Sequence, residues 1–445
     1  MPATLRITGT GVNAVGGGRL RLARVQDCPP RRVEAHWRTM RVIVVMFLLA
    51  SVVGTEAGSA LKALTGHLAL PKSKRPPLIH QPFATVTLTK ADAIQAQQLL
   101  WGDHLAKIRA TRAAEMNAKV IKIDKHTMRF EFFVYGQKPK SGRSLFISMH
   151  GGGNAPARLN DSQWENQKRL YRPAEGIYVA PRAPTNTWNL WHQGHIDGFF
   201  DRLIENFVAL HSVNPNRVYL MGYSAGGDGV YQLAPRMADR FAAVAMMAGH
   251  PNETSPLGLR NLPFALHVGE RDGGFNRNKV AASWKTQLAN LRQADPDGYV
   301  HHVQIHPGLG HWMNRRDAVA VPWMAKFSRI PLPPRVVWKQ DDVRHESFYW
   351  LAAPLEETSG RIQITAAINK QAITLDGPAG KKVLVRLNDG LANLDQAISI
   401  TANGKQVYNG KVSRTIATLA RTLLARRDPH LMFSSELEIK LPPRN

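Results

Sequence analysis

The chain has 445 residues and one cysteine, Cys28. With no second thiol there is no internal disulfide, and no C-x-x-C knuckle exists to hold a metal, so a disulfide scaffold and a cysteine-ligated zinc module are both excluded. Acidic residues are scarce as well: 33 Asp and Glu face 58 Lys and Arg, a formal charge of +25. An excess of that size raises the question of nucleic acid, and the distribution of the charge answers it. Residues 1–41 hold Arg6, Arg19, Arg21, Arg24, Arg31, Arg32, Arg38 and Arg41 against Asp27 and Glu34; the rest shows only short clusters such as Lys72, Lys74 and Arg75, or Arg421, Arg426 and Arg427. Zinc-finger, aromatic RNA-binding and basic-zipper patterns are missing. The sequence therefore reads as a solvated basic surface, with no nucleic-acid partner. Internal repeats and low-complexity tracts are missing too. A charged fraction of 20% beside 44% hydrophobic residues excludes a wholly disordered or fibrous chain. The length suits two or three domains.

The run Val42–Val53, apolar except for Ser51, falls short of the roughly 20 residues of a membrane span. It follows Met40 and Arg41 and precedes the small residues Gly54, Ala57, Gly58, Ser59 and Ala60. Basic flank, short apolar segment and small residues are the three parts of a secretory signal. The expectation is a signal over about residues 40–60, cut near Ala57 or Ala60, in an exported protein that meets the membrane only through that signal. Cys28 would leave with it. Residues 1–39 are rich in Gly and Arg without periodicity, which fits Met40 as the biological start. Arg31 and Arg32 suggest twin-arginine export, but the residues after them fit it poorly. The bland alternative is a buried apolar helix.

Pro71, Pro76, Pro77 and Pro82 mark residues 61–88 as a linker. Thr89 caps a predicted helix to about Ala118, and strand-like runs follow at Val120–Ile123 and Met128–Tyr135. From Leu145 short apolar runs alternate with helical patterns, the signal of a largely parallel sheet with crossover helices. The predicted strands are 145–149, 176–180, 218–221, 242–247, 264–268 and 300–305; the predicted helices are 161–171, 197–212, 226–238, 275–293 and 316–328. This α/β domain spans 89–330. After Pro331, Pro333 and Pro334 the pattern changes to strands, with Asn403-Gly404 as a two-residue hairpin turn and one helix near 414–426, so 335–445 reads as a separate β-rich accessory domain.

Gly222-Tyr223-Ser224-Ala225-Gly226 is a G-x-S-x-G sequence between a predicted strand and a predicted helix. A turn that sharp needs small residues around the serine, and it lifts the Ser224 hydroxyl above the sheet edge with a helix N-terminus aimed at it. The hydroxyl needs a base to become a nucleophile. His311 is the choice, because the loop Pro307-Gly308-Leu309-Gly310 at the end of a late strand can bring it over the turn. His301, His302 and His306 lie on or beside the strand and read as structural. An orienting carboxylate is expected just past the strand 264–268, where Asp272 is preferred over Glu270. Asp228 follows Ser224 too closely and reads as structural. His150-Gly151-Gly152-Gly153 follows the strand 145–149 and supplies an oxyanion site, with the amides of Gly152 and Ala225 as donors. Trp188, Trp191 and Tyr223 are candidate walls of a substrate pocket. His192, His195 and Asp197 have only a loose H-x-x-H-x-D spacing, and no metal site is assigned to them.

On His150–Gly153, Gly222–Gly226, Asp272 and Gly310-His311, residues 140–330 resemble α/β-hydrolase serine esterases of the polyhydroxybutyrate-depolymerase, feruloyl-esterase and dienelactone-hydrolase-like groups, more distantly the catalytic domains of prolyl oligopeptidases. The resemblance implies an α/β-hydrolase fold with a mostly parallel sheet and acyl-enzyme chemistry on ester or acyl substrates, polymeric ones included, without metal or organic cofactor. It gives Ser224 the attack, His311 the proton transfer and Asp272 the imidazole tautomer. It says nothing of the β-rich region. Two other readings stand beside it: a serine peptidase on the same residues, and a non-catalytic binding protein on a hydrolase scaffold.

Overall fold

A computed structural model describes residues 56–444. Most of the signal-like segment, through residue 55, lies outside the described residues. Residues 56–69 form a helix (α1), and α2 (Lys90–Ala118) starts at Thr89, whose side chain accepts from the Asp92 amide at 3.1 Å. The stretch read as a linker is thus helical through residue 69. Three short 3₁₀ turns follow it at Lys72–Lys74, Leu78–His80 and Pro82–Thr85, where the prolines set the backbone.

The central sheet comprises β1 (Val120–Ile123), β2 (His126–Tyr135), β3 (Arg143–Met149), β4 (Gly176–Arg182), β5 (Val213–Tyr223), β6 (Ala243–Met247), β7 (Phe264–Gly269) and β8 (His301–His306). Their order is β1-β2-β4-β3-β5-β6-β7-β8. β2 runs antiparallel to β1 and β4, and the strands from β4 to β8 run parallel. This is the α/β-hydrolase order. Between the strands lie α3 (Ala157–Gln167), α4 (His195–His211), α5 (Ala225–Arg236) and α6 (Arg277–Ala294), with the short α7 (Ala320–Met324) after β8. Helices on both faces explain why β4, β6 and β7 are buried at every position and read as continuous apolar runs. The order turns back at β3, flanked by β4 and β5. A crevice opens at such a switch point beyond the strands' carboxyl ends, and the loops after β3 and β5 meet there.

The C-terminal region holds β9 (Arg335–Lys339), β10 (Ser347–Phe348), β11 (Leu351–Ala352), β12 (Gln363–Asn369), β13 (Ala372–Asp376), β14 (Lys382–Leu387), β15 (Ile398–Ala402), β16 (Lys405–Gly410), α8 (Ile416–Arg426) and β17 (Ser435–Lys440). They make a four-stranded sheet, β10-β11-β14-β17, and a five-stranded one, β16-β15-β13-β12-β9. The chain over 347–352 is bent into two short strands, β10 and β11, because Tyr349, at φ 54°, turns its amide onto Asp239 Oδ2 at 2.8 Å.

This region does not stand apart as a separate domain. One apolar core runs from Phe199, Leu220 and Phe264 of the hydrolase part to Trp338, Trp350, Val385 and Ile400 of the β-rich part. The seam also carries buried ion pairs: Arg329 Nη1 lies 2.7 Å from Asp428 Oδ2, and Arg426 pairs with Asp239. A smaller apolar cluster joins α1 and α2 to α8 through Ala57, Ala60, Leu64, Leu100, Ile416 and Leu423.

Candidate active site

β5 ends in Tyr223 and α5 begins at Ala225, so Ser224 carries the whole change of direction, at φ 57° and ψ −121°. A non-glycine residue held there costs on the order of 1–3 kcal/mol, and the surroundings must over-determine it. They do: the Ser224 amide donates to the Met247 carbonyl at 2.9 Å, and its carbonyl accepts from the Asp228 amide at 3.0 Å. The glycines make the approach sterically possible. A Cβ on Gly222 would lie 2.1 Å from the Gly226 carbonyl oxygen, and one on Gly226 would lie 2.2 Å from that of Met149.

The three side chains chosen for nucleophile, base and carboxylate meet. His311 Nε2 is 3.0 Å from Ser224 Oγ, and His311 Nδ1 is 2.9 Å from Asp272 Oδ2. Asp272 is buried while the imidazole is partly exposed, so the carboxylate fixes one ring nitrogen and the other faces the serine. Glu270 lies elsewhere in the loop, and its Oε2 accepts from the Gly308 amide at 2.8 Å.

His150 is fully buried, and burial pushes its pKa down to about 3. Its Nε2 accepts from the Ala183 amide at 3.1 Å, which leaves Nδ1–H to donate to the Gly151 carbonyl at 2.6 Å. A neutral imidazole thereby pins the glycine loop. Gly152 has φ +106°, and a Cβ on it would lie 2.3 Å from Asn160 Oδ1, which accepts from the Gly153 amide at 2.8 Å. Ala225 is the first residue of α5, so its amide has no acceptor within the helix.

Two clefts flank Ser224. The smaller, of about 480 Å³, is lined by Gly152, Trp188, Ala225, Asp228, His250 and Arg277 among others. The larger, of about 790 Å³, is lined by Ser224, Tyr223, His311, Trp312, Arg169, Arg277 and Arg315 with neighbouring residues. Of the predicted pocket residues, Trp188 is exposed on the smaller cleft. Trp191 is not a pocket residue: it is fully buried in the core, where its indole donates to the His150 carbonyl at 2.9 Å. Tyr223 presents its ring to the larger cleft, but its hydroxyl is spent on the His311 loop, donating to the His311 carbonyl and accepting from the Met313 amide. Asp197 is occupied by Arg236 Nη2 at 2.6 Å and His345 Nε2 at 2.7 Å, which makes it a structural carboxylate.

Asp228, read as structural, lies in the first turn of α5. Its Oδ1 accepts from the His250 amide at 2.6 Å while the group opens on the smaller cleft, and burial raises its pKa to about 6. Phe275 and Asn276, expected in a helix, take left-handed backbone at φ 53° and 57° and put an exposed phenyl ring at the boundary of both clefts. Gly273-Gly274 ahead of them was the available signal. Asn160, which steadies the glycine loop, sits in an ordinary polar helix and gave none.

No family model matches the chain. A poly(3-hydroxybutyrate) depolymerase from Ralstonia pickettii is 24% identical over 185 residues, 35% of this chain and 38% of that protein. A bifunctional acetylxylan esterase/xylanase from Neocallimastix patriciarum is 27% identical over 159 residues, 34% of this chain and 23% of that protein. The chain thus matches well under half the length of each of these curated relatives. Among solved structures, that of a thermostable esterase covers 47% of this chain and 62% of its own, with 16% identity and a TM-score of 0.35. The relatives carry names from the group of α/β-hydrolase esterases that the motifs resemble.

Proposed function

We propose that the protein is a serine hydrolase of carboxylic esters that works through an acyl-enzyme. Ser224 Oγ attacks the ester carbonyl carbon as His311 Nε2 takes its proton, and the Gly152 and Ala225 amides receive the oxyanion. When the intermediate collapses, the bond to the alcohol oxygen breaks and His311 returns the proton to that oxygen. Water, deprotonated by the same nitrogen, then adds to the acyl carbon, and as the bond to Oγ breaks His311 returns that proton to Oγ. Asp272 holds the Nδ1–H tautomer throughout. The observation that carries this reading is the continuous relay from Ser224 Oγ through His311 to Asp272, at 3.0 and 2.9 Å, beneath a serine in strained backbone. The names of the two relatives favour esters, polymeric ones included, over peptides.

The test is labelling of the folded protein with a fluorophosphonate, followed by a panel of short-chain aryl esters and prolyl peptides. The expected result is one adduct, on Ser224, with ester turnover that Ser224→Ala abolishes. An unlabelled Ser224 in folded protein would leave the scaffold reading instead, and turnover of the peptides alone would make the enzyme a peptidase.

We also propose export through the segment 40–60. Ala57 and Ala60 are buried against α8, so a cut after Ala60 would strip contacts from the folded body. N-terminal sequencing of protein recovered outside the cytoplasm tests this, with a mature end ahead of Ala57 expected. Recovery of the intact chain from the cytoplasm alone would refute export.

A further inference from the structure

The general acid hands its proton to the departing oxygen, so the alcohol half of an ester must lie on the histidine's side of the serine. The larger cleft is walled by both Ser224 and His311. The smaller holds Ala225 and shares Gly152 and Gly153 with the larger, but has neither of those two side chains. The larger cleft is therefore the alcohol side, and the smaller the acyl side.

The two clefts differ in charge. The wall of the larger one carries Arg169, Arg277 and Arg315 and has no Asp or Glu. Arg169 and Arg315 are exposed, and among the described residues neither has a carboxylate within ion-pair distance. Arg277 stacks on the Phe275 ring at 4.9 Å and reaches the Asp272 carboxylate only at 3.8 Å, and its buried Nε has no hydrogen-bond partner. Arg315 is held at φ 61°, in left-handed backbone that a β-carbon disfavours. In the smaller cleft the same Arg277 is offset by Asp228. A guanidinium presents a planar fork of donors that matches a carboxylate, and a neutral alcohol uses little of it.

Resting on the ester-hydrolase reading, we propose that the substrate is an ester whose alcohol half carries a carboxylate, received by Arg169, Arg277 and Arg315. The unused donors and the absence of acid from that wall both follow from such a ligand. Two sources supply the chemistry, a hydroxy-acid oligomer ending in a free carboxylate and an acylated uronate sugar.

The test compares 4-acetoxybenzoate, with the carboxylate on the alcohol half, with the neutral 4-acetoxybenzamide on the whole protein. The expected result is a kcat/KM about tenfold higher for the anion at low salt, a preference that shrinks as salt is raised. In Arg169→Glu/Arg315→Glu the ratio of anion to amide should fall below one, while Arg315→Lys keeps the anion preferred. The amide is the internal reference, so a loss of folded enzyme changes both rates and leaves their ratio. Equal rates in the native protein, or a ratio that charge reversal leaves unchanged, would overturn the proposal while leaving the ester hydrolase intact. No turnover of either ester, with Ser224 unlabelled by fluorophosphonate, would instead sink the underlying reading. A carboxylate-ended hydroxy-acid dimer and an O-acetylated uronate disaccharide then separate the sources, the faster substrate identifying which one the cleft serves.

Discussion

The Tyr223 hydroxyl donates to the main-chain carbonyl of His311, so the residue before the serine fastens the loop that carries the histidine. The same oxygen accepts from the Met313 amide at 3.2 Å, which clamps the loop on both sides of Trp312. Imidazole placement is therefore built into the strand that leads into Ser224. Tyr223→Phe removes both bonds while keeping the ring on the cleft wall. The expected outcome is a kcat about ten- to hundredfold lower with KM for a small ester little changed, because a base displaced by an ångström slows proton transfer more than it weakens binding. Steady-state kinetics check it, and a rise in KM at unchanged kcat would mean that Tyr223 serves binding instead.

Stability should fall as the solution is acidified below about pH 6.5, well before the carboxylates titrate. Burial holds His150 and His267 down at about 3 and His192 at about 4; His306 and His302 add to the effect on His267, and Arg236 to that on His192. A histidine depressed in the folded state takes up its proton first in the unfolded chain. Stability is thus fully present above the unfolded value near 6.5 and lost progressively as pH falls toward the folded value. Each group contributes a slope of up to ~1.4 kcal/mol per pH unit in that window. Urea midpoints at pH 7, 6 and 5 measure it, and a flat profile across that range would show that these imidazoles are not neutral in the fold.

Asp228 titrates with the opposite sign. Its pKa, raised to about 6, makes the folded protein bind a proton that the unfolded chain has released, so its contribution is most favourable below the unfolded value near 4 and is lost as pH rises through 6. Asp228→Asn keeps an oxygen for the His250 amide and removes the charge. The variant should be more stable than the native protein at pH 8, by on the order of 1–2 kcal/mol given the group's opening onto the cleft, with the gap closing toward pH 4. Paired urea titrations at the two pH values decide it, and a gap independent of pH would assign the carboxylate no buried charge.

The strands of the central sheet were legible because helices cover both of its faces: runs such as Gly176–Ala180 and Phe264–Val268 are apolar at nearly every position, and the observed strands there extend them by a residue or two, whereas β5 starts five residues ahead of the run 218–221. That Ser224, Asp272 and His311 would come together was legible for a related reason, since each follows a strand end that topology carries to the same sheet edge. What failed depended on partners distant in the chain. Trp191 lies in a loop rich in aromatics, and partners such as His150, 41 residues away, whose carbonyl takes the indole N–H, make it a core residue. Phe275 and Asn276 read as helix because local propensity does not report a backbone pushed into positive φ. The separateness assigned to 335–445 came from the change in pattern at Pro331–Pro334, and pattern is silent about which faces are buried against which.

That last point changes what removal of the β-rich region should do. A detachable accessory domain would leave a folded, active remainder. Here a cut at residue 334 uncovers core that Trp338, Phe348 and Trp350 fill, and it leaves Arg240 and Arg329, each about 95% buried or more, without Asp428. Burial alone would raise the Asp428 pKa, but the guanidiniums of Arg329 and Arg240 outweigh it and hold the carboxyl at about 2. A buried pair broken on one side costs about 3–5 kcal/mol, because the charge left behind has no water to turn to. Asp428→Asn, far gentler than the truncation, should therefore lower the urea midpoint markedly at pH 7. The truncated chain should be insoluble at the same pH. The native carboxylate's contribution persists down to about pH 4 and is lost only as pH falls toward 2, so the deficit of Asp428→Asn stays constant between pH 7 and pH 5. A soluble, fully active fragment ending at residue 334 would show that the seam is dispensable and restore the picture of two independent domains.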